Sequence, residues 1–138
     1  MTKIVANAKL IEGFQIMLDD NDAHSYLVDL APDLGTGLGA SPLGLCVMSH
    51  AGCYAAICLL TAKKMRLTIR SLKVKVEALK SEETGTISEE TFDIQIKTDA
   101  PQDRIDRLHK VTLENCPVGI LFEKAGVKIN YRVNMGKE

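Results

Sequence analysis

The chain has 138 residues, 17 Lys plus Arg against 18 Asp plus Glu, 46% apolar residues, three Tyr, three Phe, no Trp and four Cys. This length and apolar content suit one domain over residues 1–138 that folds without a disulfide framework or a metal, and they exclude intrinsic disorder. A net charge of −1 with evenly mixed signs excludes the basic surface that nucleic-acid binding requires.

Met1 to Leu10 carries two lysines and no apolar run of secretory type. The expectation is a cytoplasmic protein with free thiols. Three short strands are predicted first: Ile4 to Ile11, Phe14 to Leu18, and Ser25 to Leu30. Asp19-Asp20-Asn21-Asp22 forms the polar turn between the last two, and together they make a meander. Gly35-Thr36-Gly37-Leu38-Gly39 follows, glycine-rich but without the Gly-Lys-Ser/Thr or G-x-G-x-x-G pattern of a phosphate cradle.

Between Asp33 and Lys63 stand 29 uncharged positions. The glycine-rich loop and Pro42 break the first part, which argues against a membrane span. Ser41 as N-cap and Pro42 at the first helical position open a helix over Leu43 to Thr61. Its apolar residues lie on every side, so the expectation is a helix buried all round, wrapped by sheet or shared with a second subunit. Lys63, Lys64, Arg66 and Arg70 supply positive charge at its C-terminal end.

Leu72 to Leu79 alternates apolar and charged residues, as a half-buried strand does, and Thr91 to Lys97 alternates again with Phe92, Ile94 and Ile96. Ser81 to Thr86 reads as the hairpin loop between them. Thr98 or Asp99 caps a helix carrying Ile105, Leu108, Val111 and Thr112 at helical spacing and ending near Asn115. Pro117 and Gly126 bracket a second short helix with Cys116 at its N-cap, and Val127 to Val133 closes as a strand. No repeat, low-complexity tract or linker divides the chain. Strands, then helices, joined partly by hairpins, define an α+β fold with antiparallel sheets around a long buried central helix.

The chemistry to be weighed lies in the cysteines. Cys46, His50 and Cys53 fall at helical spacing on one face, with His50 one turn before Cys53, and Cys58 falls off that stripe as packing. Cys116 gains a thiolate-favouring helix start. A zinc site from Cys46, His50, Cys53 and Cys116 lacks the paired C-x-x-C spacing of structural sites, so no metal is expected. A redox pair, in which one thiol becomes a sulfenic acid and a second resolves it, competes with the plain reading of a core helix holding a satisfied buried histidine. His24 and His109 read as isolated surface residues.

Gly39-Ala40-Ser41-Pro42, then Cys53 eleven positions after the proline within His50-Ala51-Gly52-Cys53-Tyr54, then Asn115-Cys116-Pro117-Val118 before a closing strand, resemble the OsmC/Ohr superfamily over nearly the whole chain. The resemblance implies an OsmC-like fold, an intertwined homodimer with long central helices between sheets, and two sites at the subunit interface. It further implies a thiol-dependent peroxidase of oxidative-stress defence, reducing organic hydroperoxides or hydrogen peroxide. Cys53 would attack, Cys116 would resolve and His50 would support. An external dithiol would serve as reductant, with no metal or organic cofactor, and Leu45, Val47, Ile57 and Phe122 would wall a pocket for a small hydrophobic peroxide.

The peroxidase branches carry a glutamate just after the proline and an arginine in the N-terminal strands. Here Leu43 and Gly44 occupy the first place, and no arginine precedes Arg66. The alternative implied by those differences is an OsmC-like protein without peroxidase activity that binds a small ligand in a dimer-interface pocket. Neither nucleic acid nor membrane is an expected partner.

Overall fold

The computed structural model describes residues 1–136. Its elements run β1 (Asn7–Glu12), β2 (Gln15–Asp19), β3 (Ser25–Val28), α1 (Pro42–Lys64), β4 (Ile69–Lys80), β5 (Ile87–Thr98), α2 (Gln102–Asn115), α3 (Pro117–Lys124) and β6 (Lys128–Gly136). Two compact units divide the chain, with the boundary after Cys46, inside α1.

In the first unit β1, β2 and β3 form the expected antiparallel meander, with Asn7 opposite Asp19 and Asp19 opposite Ser25. The acidic turn works because its carboxylates bind the backbone they precede. Asp19 accepts from the Asn21 amide at 2.9 Å, Asp20 accepts from the Asp22 amide at 3.0 Å, and Asn21 takes the left-handed conformation that Asn tolerates. The glycine-rich loop is folded around the buried Asp29, whose carboxylate accepts from Thr36 Oγ1 and from the amides of Leu30, Thr36 and Leu38. A Cβ on Gly35 would stand 2.3 Å from Asp29 Oδ1, and one on Gly39 would stand 2.4 Å from the Leu27 carbonyl oxygen. Gly35 therefore serves close approach to the protein's own carboxylate, and Gly39 close approach to the β3 backbone. Ser41 caps α1 as expected, its hydroxyl accepting from the Gly44 amide at 3.0 Å.

In the second unit β5 is the central strand of a three-stranded sheet, order β4-β5-β6. The β4–β5 hairpin turns through Ser81 and Thr86, with Gly85 at φ 73°. The α+β class holds, but β6 runs parallel to β5 where antiparallel sheets were expected. The reason is topological: α2 and α3 carry the chain back over the sheet, and a crossover of that length returns it in the original direction.

The helix caps also depart from expectation in one place. Pro101 is the N-cap residue of α2 and offers no side-chain cap. Thr98 instead donates to the Thr68 carbonyl at 2.7 Å, and Asp99 pairs with Arg70 at 2.7 Å.

The core joins Tyr54, Cys58 and Ala62 of α1 to Phe92, Ile94 and Ile96 of β5 and to Ile105 and Leu108 of α2. Along α1 only His50, Tyr54, Cys58, Thr61 and Ala62 are buried, while Met48, Leu59 and Leu60 are exposed. The expectation of a helix buried all round is thus not met within one chain. A single sheet face covers one stripe at i, i+4 spacing and no more. α1 is long and apolar enough to cross a membrane, yet its buried stripe is committed to ring contacts with Phe92 and Tyr131.

Candidate functional site

Two helices bring the sequence-predicted residues together in the second unit. α1 presents His50 and Cys53, and the start of α3 presents Cys116. All four cysteines are free thiols: Cys46 is exposed, Cys53 half-buried, and Cys58 and Cys116 buried. Cys58 sits in the core, as its spacing implies.

Cys116 is the N-cap of α3, and its Sγ accepts from the Gly119 amide at 3.4 Å. Pro117 at the first helical position fixes that geometry. The sequence argument that a helix start acidifies this thiol is nonetheless outweighed. Burial pushes the Cys116 thiol up to about 11; the Gly119 and Val118 amides oppose that rise, and the neighbouring Cys53 side chain adds to it. Desolvation of the thiolate exceeds the gain from those two amides. Cys116 is therefore a protonated thiol at neutral pH, with Cys53 as its side-chain neighbour.

His50 lies beside them in a different role from that of an exposed base. Its Nδ1 is 2.7 Å from Glu90 Oε1, and the two side chains are only 1% and 0% exposed. Glu90 stands two residues before Phe92 on β5, on the strand face that carries Phe92, Ile94 and Ile96 into the core. Its Oε2 has no hydrogen-bond partner among the described residues. The His50 ring is gripped by Phe92 at 4.6 Å and Phe122 at 4.5 Å between centroids.

The other edge of that ring faces α3. A Cβ on Gly119 would stand 3.3 Å from His50 Nε2 and 3.3 Å from Cys116 Sγ. Glycine here leaves the imidazole and the second thiol both bordering the place a Cβ would take.

A second polar pair lies farther along the same aromatic layer. Tyr54 Oη and His109 Nδ1 are 2.6 Å apart, and the Tyr131 ring packs on both. Burial lowers the His109 pKa against the pull of Asp106, raises that of Tyr54, and pushes Tyr131 up to about 12. His109 is thus half-buried and hydrogen-bonded where an isolated surface residue was expected. His24 is exposed and pairs with Asp20 at 2.6 Å.

Glu90 was not singled out from the sequence, although it falls in the same alternation as Phe92 and Ile94. A carboxylate in phase with the apolar face of a strand was the available signal. No group of three or more His, Cys, Asp or Glu with metal-holding geometry occurs among the described residues.

A buried cysteine at a helix start, neighboured by a second cysteine on a long apolar helix and backed by a mixed three-stranded sheet, defines an α+β protein of thiol-bearing type. The chain belongs to the OsmC-like protein family, whose model matches residues 35–132. No curated protein matches it. Among solved structures it is similar to an OsmC-like protein from Mycoplasma pneumoniae, with TM-score 0.88 and 22% identity over 97% of each chain. It also resembles an organic hydroperoxide resistance protein from Elizabethkingia anophelis, with TM-score 0.74 and 18% identity over 99% of this chain and 98% of the other. The organic hydroperoxide resistance protein OhrB of Bacillus subtilis aligns with TM-score 0.66 and 17% identity over 98% of each chain. These likenesses establish the OsmC-like fold.

Proposed function

We propose that the protein is a thiol peroxidase of oxidative-stress defence, with Cys53 as the peroxide-attacking residue and Cys116 as the resolving one. The observation that carries this reading is the interaction of the Cys53 and Cys116 side chains, two thiols 63 positions apart in sequence, with Cys116 held protonated by burial. A thiol pushed up to about 11 is poorly suited to attack a peroxide directly, which assigns first attack to its neighbour. In that step the Cys53 thiolate takes the terminal oxygen of the hydroperoxide. An S–O bond forms, the O–O bond breaks, and alcohol or water leaves with one proton. Attack by Cys116 on the sulfenic acid then releases water and forms a disulfide, which an external dithiol reduces.

A second copy of the chain is the proposed partner. Leu10, Ile11 and Phe14 in the first unit, and Met48, Leu59 and Leu60 of α1, are large exposed apolar side chains of the kind an obligate interface buries. A reducing cytoplasm fits four free thiols.

Stopped-flow mixing of the reduced protein with cumene hydroperoxide tests the reading. Oxidation of Cys53 no faster than free cysteine, with no Cys53–Cys116 disulfide by mass spectrometry, would overturn it. A second reading, a non-catalytic small-ligand binder, is favoured by one feature: the first turn of α1 carries no acidic residue. Native mass spectrometry showing a co-purified small molecule, together with absent turnover, would select it.

A further inference from the structure

The buried His50–Glu90 pair has no part in the two thiol steps as written so far, yet it is the most polar feature of an otherwise apolar core. We infer that His50, oriented by Glu90, is the proton acceptor for Cys116 when that thiol resolves the Cys53 sulfenic acid. This inference rests on the peroxidase reading.

The geometry runs in one direction. A His50 ring that donates from Nδ1 to Glu90 Oε1, 2.7 Å away, carries its single proton on Nδ1. The lone pair is then on Nε2, the atom facing Gly119. Cys116 Sγ borders the same place, each atom 3.3 Å from the site of the missing Cβ. That placement suits proton transfer through one bridging water. With its other oxygen unpartnered among the described residues, Glu90 has His50 as its one side-chain hydrogen-bond partner among them, so carboxylate and imidazole act as a unit. Phe92 and Phe122 lock the ring in place. Cys116, buried and protonated, needs such a base to react as a thiolate.

The step balances. His50 Nε2 takes the Cys116 proton as Cys116 sulfur attacks Cys53 sulfur. The S–S bond forms, the S–O bond of the sulfenic acid breaks, and the departing hydroxide takes the proton from Nε2 and leaves as water. Cys116 sulfur is oxidised and Cys53 sulfur reduced, the electrons having gone ultimately to the hydroperoxide. His50 returns to its starting form.

The test separates the two steps in the full chain. Cys53 sulfenic acid is trapped with dimedone in a Cys116→Ser background, and disulfide closure is followed by thiol loss and mass spectrometry in the Cys116 protein. In His50→Gln and Glu90→Gln, closure is expected to slow at least about tenfold beyond any change in sulfenic acid formation. Closure slowed no more than sulfenic acid formation in both variants overturns the inference. If wild-type Cys53 forms no sulfenic acid, it is the peroxidase reading that falls. The base is then read from the reaction of Cys116 with an aromatic disulfide in a Cys46→Ser, Cys53→Ser chain, where an equal rate with and without His50→Gln overturns it. Should the variants fold poorly, nitrogen-15 NMR of histidine-labelled wild-type protein decides. A neutral His50 protonated on Nδ1 supports the assignment, and one protonated on Nε2 refutes it.

Discussion

Replacing His50 by Phe offers a direct measure of the buried pair. The aromatic side chain fits between Phe92 and Phe122, but Glu90 is left in the core with Oε1 unpaired beside an already unpartnered Oε2. Removing one partner of a buried ion-pair-type contact costs about 3–5 kcal/mol. The upper half of that range is expected here, because neither oxygen would then have a partner. For a chain of this size the loss corresponds to a Tm lower by roughly 10–20 °C.

The double variant His50→Phe, Glu90→Leu removes both polar groups at similar volume. Its stability should fall within about 1 kcal/mol of wild type or exceed it. The double-mutant cycle would then return a coupling of about 2 kcal/mol or more. Urea unfolding followed by circular dichroism, at one protein concentration for all four chains, reads these values. A His50→Phe loss below about 1 kcal/mol, or a double variant that loses the sum of the two singles, would refute the claim that the pair is buried and mutually dependent.

Three further outcomes follow from the same structure. Asp29 is held below the usual carboxylate range first by the Thr36 hydroxyl and then by the amides of Leu30, Leu38 and Thr36, against the opposing effect of burial. A lowered folded pKa contributes stability that is complete above the unfolded value of about 3.9 and is lost as pH falls through the folded one. Asp29→Asn should therefore be least stable relative to wild type near neutrality, and the gap should close in acid; a gap independent of pH would count against this clamp. Burial lowers the His109 pKa, so its NMR titration midpoint should fall below about 6.5, and Tyr54→Phe should cost about 1 kcal/mol through the lost hydrogen bond. A midpoint at or above the free value would contradict the half-buried placement. In the reduced protein at neutral pH, iodoacetamide should label exposed Cys46 well before Cys58 and Cys116. Cys116 labelling should rise steeply as pH approaches about 11. Peptide mapping that finds Cys58 labelled as fast as Cys46 would show the core to be open.

Much of the architecture was legible in residue pattern. Strand and helix periods located all nine elements, the Ser41-Pro42 start and the Cys116-Pro117 start were recognisable by capping chemistry, and the acidic turn and Gly85 hairpin followed from turn preferences. The Asp29 clamp was not legible, because its partners are backbone amides that a pattern does not display. The cap of α2 was misplaced because Thr98 and Asp99 have better partners elsewhere, in the Thr68 carbonyl and in Arg70. The direction of β6 followed from the crossover, which strand periodicity alone does not encode.

The sequence by itself determined the charge-free helix, the helix-start placement of Cys116, and the family resemblance that set Cys53 and Cys116 apart from Cys46 and Cys58. Tertiary structure alone decided the partner of His50, which is Glu90 at a separation of 40 residues, and the balance at Cys116. A helix start acts through local amides and can be read from neighbours in sequence. Desolvation depends on everything packed around the thiol, and at Cys116 it is the larger effect.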